Sequence, residues 1–291
     1  PIWAVSETFE PGSVGKVISM SGYLQMGLHK MSDQLSVPDH ITQEGQTYKD
    51  SFDHGTERWT LAGILQNSSN VGMIMAGENY PDEQRYEYLT KFGIGQPTGL
   101  NLPGESSGLL TNPSAWDLRT RNTILFGQGY TVNALQLNNV VATIANKGVK
   151  QQQSIIKSTT DANGKTTESK KGEATRVVDE KVASDMMNAM ESVAEGYNKF
   201  VKVDGYRMAA KSGTAEVQGS DGTLSSIISD YSVVIPADNP RYAVTVVMKE
   251  PNGVFGGLTA GPVSAQICEF LMQKYEVPVS GPRKNAIPVT W

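Results

Sequence analysis

Apolar residues recur at helical spacing in some windows of this chain and alternate in others, and the two periods divide it into elements. Val14, Val17, Ile18, Leu24 and Met26 share a window without proline, which predicts a helix over 14–27 opening at Ser13. Residues 32–59 are polar and read as loop. The stretches 61–67 and 71–76 each predict a helix, with Ser68-Ser69-Asn70 in the tight connection between them. Residues 81–91 form a charged helical pattern, and 96–113, rich in Gly and Pro, reads as a long loop.

A buried helix is expected over 131–146, ending at Lys147-Gly148 as a basic C-terminus and a glycine cap. Residues 151–178 suit a polar hairpin turning at Asn163-Gly164. A helix that Asp179 can cap then runs to Glu195. Three strands follow, over 206–216, 227–235 and 241–250, joined by a Gly/Ser-rich loop at 218–226 and a turn at 237–240. A closing helix over 262–275 can lie on that sheet. The class is α+β, an antiparallel sheet flanked by helices plus a helical subdomain. One domain fragment is expected over 1–291, with a helical lobe at about 13–146 and a sheet-containing part at about 150–291.

Composition narrows the picture by exclusion. A net charge of −5 and a pI near 5.3, with no run of Lys or Arg, argue against nucleic acid as a partner. The one cysteine, Cys268, lies in an apolar helical stretch, so it reads as a buried thiol and no intrachain disulfide can form. No window reaches the ~20 apolar residues of a membrane span, and no signal sequence opens the chain. The chain begins at Pro1 and reads as an excised fragment.

Three short stretches carry candidate chemistry: Ser13-Val14-Gly15-Lys16, Ser68-Ser69-Asn70 and Lys211-Ser212-Gly213-Thr214. A lone S-x-x-K says little, since about one match arises by chance in a chain this long. Ser154-Ile155-Ile156-Lys157 is such a match, and it reads as plain strand or loop. The order of the three is the signal. Acyl transfer needs a nucleophile, a base in hydrogen-bond reach and donors for the developing oxyanion. Ser13 can be the nucleophile, with Lys16 three residues on along the same helix face. Lys16 serves as base only when neutral, so its pKa must fall far below ~10.4, and burial and a second cation both push it that way. Ser68 can relay a proton to a leaving amine, and Asn70 can bond both the lysine and a substrate amide. Lys211 to Thr214 suits an edge strand whose glycine lets a substrate backbone approach and whose hydroxyls bind a carboxylate.

These stretches resemble the penicillin-binding proteins and serine β-lactamases, whose set is S-x-x-K, S-D-N and K-T-G. The likeness extends to Phe9-Glu10-Pro11-Gly12, Gly99-Leu100-Asn101-Leu102-Pro103-Gly104-Glu105, Phe126-Gly127-Gln128-Gly129-Tyr130 and Pro236-Ala237-Asp238-Asn239-Pro240. Nearly the whole chain is similar to a class B, monofunctional peptidoglycan D,D-transpeptidase, and it leans towards the septal over the elongation type. The resemblance implies peptidoglycan stem peptides as substrates, β-lactams as acylating ligands and cell-wall synthesis or division proteins as partners. It implies no metal or organic cofactor. It gives Ser13, Lys16, Ser68, Asn70 and Lys211 the catalytic roles, and Ser212, Gly213 and Thr214 the substrate's terminal carboxylate. The backbone N–H groups of Ser13 and Thr214 would form the oxyanion hole.

The parent protein is expected to be held by one N-terminal span on the extracytoplasmic side of a bacterial membrane, and the family's N-terminal strands are expected to be missing from this fragment. Two positions depart from the family. Gly15 stands where a larger residue is usual, which is expected to loosen the helix start. Ser69 replaces the Asp of the β-lactamase form.

Rival chemistries fit less well. A P-loop would need Gly at Glu10 and Ser or Thr at Val17. The three histidines, His29, His40 and His54, read as solvated, and no H-x-x-x-H pair exists for zinc. A serine β-lactamase or D,D-carboxypeptidase needs a base for deacylation, and Glu105, the candidate, reads as a structural loop acid. A β-lactam sensor domain and a non-catalytic scaffold stay open as alternatives.

Overall fold

The computed structural model describes residues 2–218, 224–250 and 255–291. The first part of the chain is mostly helical: α1 (Trp3–Ser6), α2 (Gly15–Gln25), α3 (Leu61–Gln66), α4 (Asn70–Ala76), α5 (Asp82–Lys91), α6 (Leu118–Thr123) and α7 (Ala134–Ala145). Four short strands interrupt it between α2 and α3, namely β1 (Gln34–Val37), β2 (His40–Gln43), β3 (Gln46–Lys49) and β4 (Glu57–Thr60). After α7 come β5 (Val149–Gln151), β6 (Ser158–Thr160), β7 (Thr166–Glu168) and β8 (Ala174–Arg176). The long helix α8 (Glu180–Gly196) leads to β9 (Ala209–Gln218), β10 (Leu224–Ile235), β11 (Tyr242–Lys249) and the closing helix α9 (Gly256–Lys274).

β9, β10 and β11 make an antiparallel sheet of spatial order β11-β10-β9, so the α+β expectation holds. Asp230 of β10 stands opposite Gly213 of β9, and β9 forms one edge. Two main apolar cores hold the body together, beside a small cluster of Tyr48, Ile74 and Phe126. The larger one joins Val17 of α2, Leu65 of α3, Val141 of α7, Met186 of α8 and Val234 of β10, so the helices and the sheet share it. The smaller joins Val233 and Ile235 of β10 to Ala260, Cys268 and Met272 of α9. Each buried Val, Leu, Ile or Met side chain contributes on the order of 1.5–3 kcal/mol. Cys268 is fully buried as expected, and burial pushes its thiol up to about 12.

Several expectations need correction. Residues 32–59 are not plain loop: β1 pairs with β4 and β2 with β3, both antiparallel. These four-residue strands are too short and polar to show a period. α2 starts at Gly15, behind a 3-10 turn at Gly12–Val14 that carries Ser13. Asp179 sits at the N-cap of α8 but does not cap it, because its carboxylate accepts from Gln25 Nε2 at 3.1 Å. α9 begins six residues ahead of Pro262, so the proline lies inside the helix. Side chains at 256 and 257 are excluded: a Cβ at Gly256 would come within 2.3 Å of the Asp230 carbonyl and one at Gly257 within 2.1 Å of the Tyr197 ring. Most of the loop expected at 218–226 lies outside the described residues. Among the described residues, no helix is long and apolar enough to cross a membrane.

Candidate active site

The turn at Gly12–Val14 is pressed against β9. A Cβ at Gly12, whose φ is +53°, would lie 2.6 Å from the Thr214 carbonyl oxygen and 2.8 Å from its nitrogen. That closeness sets Ser13 beside the Lys211 to Thr214 strand. It also places Ser13 at the N-terminal end of the eleven-residue α2, where free N–H groups and the helix dipole favour a developing negative charge.

Lys16 is fully buried in the first turn of α2, and its Nζ lies 2.9 Å from Ser13 Oγ. The same Nζ is 3.1 Å from Ser68 Oγ and 2.5 Å from the Ser68 carbonyl. Lys211, also fully buried, donates from the other side to Ser68 Oγ at 2.9 Å and to the Ser212 carbonyl at 3.1 Å. The Ser68 hydroxyl therefore bridges two lysines, and the four side chains form one unbroken chain. Ser68 achieves this with φ +56°, a left-handed conformation rare for a residue with a side chain.

Burial strips water from Lys16, and the nearby Lys211 adds repulsion, so its pKa is held well below the usual lysine value against the pull of Asp50. Burial likewise lowers Lys211 to about 7, opposed by the charge of Asp230. Asp230 is itself buried behind Gly213, which pushes its carboxyl well above the ordinary range despite Lys211.

A cavity of about 610 Å³ opens over these groups, lined by Ser13, Ser68, Asn70, Ser212, Gly213 and Thr214. Its volume suits a peptide end or a small drug. Ser212 Oγ meets the Tyr197 hydroxyl at 3.1 Å, and Thr214 Oγ1 accepts from the Gly256 N–H at 3.3 Å. Phe52, Phe126 and Phe255 supply aromatic walls. Nothing in the sequence distinguishes Phe52, Phe255 and Tyr197 from core aromatics, while Phe126 opens a stretch that carries the family likeness without a site role.

The structure thus brings together all eight expected site residues, with one correction. Asn70 does not bond Lys16; its Nδ2 donates to the Lys49 carbonyl at 3.3 Å. The hydroxyl and carbonyl of Ser68 occupy the lysine instead. Gly15 is also not a looseness in α2. A Cβ there would meet the Tyr130 hydroxyl at 2.4 Å and Gly127 Cα at 2.6 Å, so the glycine admits the Phe126 to Tyr130 segment. His54 is not solvated, since only 5% of its side chain is exposed, under the rings of Phe52 and Trp59. Ser154 is exposed and donates to the Ile156 carbonyl, apart from the cavity. Glu105 accepts a hydrogen bond from the Thr98 N–H, within its own loop, as a structural acid would.

Comparison with known proteins agrees with this geometry. Residues 2–269 match the family described as penicillin binding protein transpeptidase domain. The chain superimposes on a peptidoglycan synthetase from Bifidobacterium adolescentis with a TM-score of 0.95 and 69% identity, covering 99% of this chain and 53% of that one. Penicillin binding protein 3 of Mycobacterium tuberculosis, complexed with ampicillin, gives a TM-score of 0.90 at 32% identity over 99% of this chain and 67% of that one. Penicillin-binding protein PbpB of Mycolicibacterium smegmatis is 34% identical over 95% of this chain and 45% of its own length. Peptidoglycan D,D-transpeptidase FtsI of Escherichia coli is 34% identical over 90% of this chain and 43% of its own. The chain belongs to the penicillin-binding protein transpeptidase family. It spans under half the length of these two curated relatives.

Proposed function

We propose that this chain is the acyl-transfer domain of a class B serine D,D-transpeptidase that cross-links peptidoglycan stem peptides and is acylated by β-lactams. The single observation that carries the reading is the chain Ser13, Lys16, Ser68, Lys211, in hydrogen-bond contact at the floor of the cavity. Residues 13–146 contribute the nucleophile and the Ser-Ser-Asn turn, and residues 150–291 the lysine strand, so the two parts act as one unit.

Neutral Lys16 takes the Ser13 hydroxyl proton as Oγ attacks the penultimate D-Ala carbonyl carbon. The N–H groups of Ser13 and Thr214 receive the oxyanion. On collapse the C–N bond breaks, the proton passes from Lys16 through Ser68 to the departing D-Ala amine, and an ester remains on Ser13. An acceptor amine then attacks the ester and gives up a proton along the same path, which returns one to Ser13. Ser212 and Thr214 hold the donor's terminal carboxylate beside Lys211, and Asn70 bonds the donor's backbone amide.

The reaction belongs on the extracytoplasmic side of a bacterial membrane, where stem peptides lie, with a membrane anchor and septal partners supplied outside this chain. Intact-mass spectrometry after exposure to penicillin G should show one covalent equivalent on Ser13 and none in Ser13→Ala. An adduct on Ser154, or none, would sink the assignment.

A further inference from the structure

Behind the Ser68–Asn70 turn stands a cluster that the chemistry above does not use. Asp50, whose side chain is wholly buried, accepts from Ser69 Oγ at 2.6 Å through Oδ2 and from the Val71 N–H at 3.0 Å through Oδ1. Ser69 Oγ in turn accepts from the Gly72 N–H at 2.8 Å, which caps α4. Asn70 Nδ2 reaches the carbonyl of Lys49, the neighbour of Asp50. One carboxylate at the end of β3 therefore holds the turn that keeps Ser68 in its left-handed conformation.

His54 completes the cluster. Its Nε2 is 3.0 Å from Asp50 Oδ2 and its Nδ1 is 2.6 Å from the Gly55 carbonyl. A carboxylate and a carbonyl both only accept, so each ring nitrogen must carry a hydrogen, and the ring is an imidazolium. The flanking Phe52 and Trp59 rings are uncharged, with centroids at 4.9 and 5.1 Å. The charges acting on His54 are Asp50 and Asp39, the latter paired with the exposed His40. The cation acting on Asp50 from α2 is Lys16.

We propose that Asp50 and imidazolium His54 are positioning residues for the acyl-transfer site, a clamp that fixes the Ser68–Asn70 turn and slackens when His54 loses a proton. This rests on the acyl-transfer reading. Partial burial opposes the charge on His54, but the bonds to Asp50 and Gly55 and the fields of Asp50 and Asp39 outweigh it and hold its pKa above the usual imidazole value. The grip is thus complete at lower pH and is lost as pH rises through that raised value. Deprotonation puts a lone pair against an acceptor and leaves the Asp50 charge facing Lys16 unopposed. That favours protonated Lys16, the form unable to act as base.

Two measurements on the 291-residue chain test the clamp. Imidazole NMR should give His54 a pKa above ~6.5, and a value at or below that overturns the proposal. The second is the rate of fluorescent-penicillin acylation against pH. The wild type should lose rate on the alkaline side at the pH where NMR sees His54 titrate, and a profile without that break overturns the clamp even if variants fail to fold. His54→Phe should react about tenfold more slowly below that pH, the loss expected for a hydrogen bond to a charged group, and should lack the break. His54→Gln, which keeps one donor and cannot titrate, should recover part of the rate with a flat profile. Superimposable wild-type and His54→Phe profiles would refute the idea. Absence of any adduct on wild-type Ser13 would instead overturn the acyl-transfer reading and with it the clamp's catalytic role, whatever NMR reports for His54.

Discussion

Lys16 and Lys211, both fully buried, flank one hydroxyl, so a proton on either raises the cost of a proton on the other. The charge of Lys211 lowers Lys16 while Asp230 supports the charge on Lys211, which leaves Lys16 the base and Lys211 the principal cation. Acylation should rise as pH climbs through the lowered Lys16 value. Lys16→Met keeps the length and removes the base, so acylation should fall by about 10²–10⁴. Lys16→Arg should not rescue, because a guanidinium stays protonated. A loss under tenfold in a fluorescent-penicillin assay would send the proton elsewhere. The lysines also tie stability to pH. A folded-state Lys211 near 7 binds fewer protons than the unfolded chain between about pH 7 and its ordinary 10.5, so its contribution to stability rises with pH across that window. Asp230, shifted up, binds more protons when folded, so its contribution falls as pH climbs from 3.8 through its raised value. Melting temperatures of Lys211→Met should lose part of the alkaline rise that the parent shows, Lys16 supplying the rest, and an unaltered slope would contradict this assignment.

At the level of elements, Gly15 shows how packing overrides propensity. Helix propensity alone would favour Ala there by ~1 kcal/mol. The Tyr130 hydroxyl and Gly127 occupy the space a methyl needs, and overpacking costs about 1–3 kcal/mol. Gly15→Ala should therefore lower the melting temperature, and Tyr130→Phe in the same chain should recover part of the loss; a more stable Gly15→Ala would refute the clash. Elements whose own residues decide them were legible in the sequence, among them α5, α7, α8, β10 and β11, which carry long periodic patterns. The three chemical stretches were legible too, because residue types and chain order identify them. What was not legible depends on partners far along the chain. β4 is held by the C-terminal tail, and no four-residue pattern reports that. His54 looked solvated because Trp59 and Phe52 close over it only after β1 and β4 pair. The turn of Asn70 towards Lys49 depends on β3, whose four residues carry no strand period of their own.

At the scale of the whole chain, residues 283–291 tie distant elements together. They run back across α8 to β4. The Ile287 N–H donates to Asn188 Oδ1 at 3.0 Å, Thr60 donates to the Pro288 and Val289 carbonyls, and the Arg58 guanidinium lies 3.8 Å over the Trp291 ring. Deleting residues 287–291 removes three of these bonds at ~1 kcal/mol each and should lower the melting temperature by roughly 5 °C or more. An unchanged calorimetric midpoint would show the tail to be passive. The same global arrangement separates a transpeptidase from a β-lactamase. Fast hydrolysis of the Ser13 ester needs a water with a dedicated base, and Glu105, the sequence candidate, is bound to the Thr98 backbone and does not line the cavity. With Glu105 away from the cavity and no such base identified among the described residues, deacylation forgoes the ~10²–10⁴ of general-base assistance, and a penicilloyl adduct should persist for many minutes. Nitrocefin should accordingly give a stoichiometric burst followed by very slow turnover. Sustained turnover at several per second would overturn the transpeptidase reading, and its loss in Glu105→Gln would assign that glutamate the hydrolytic role.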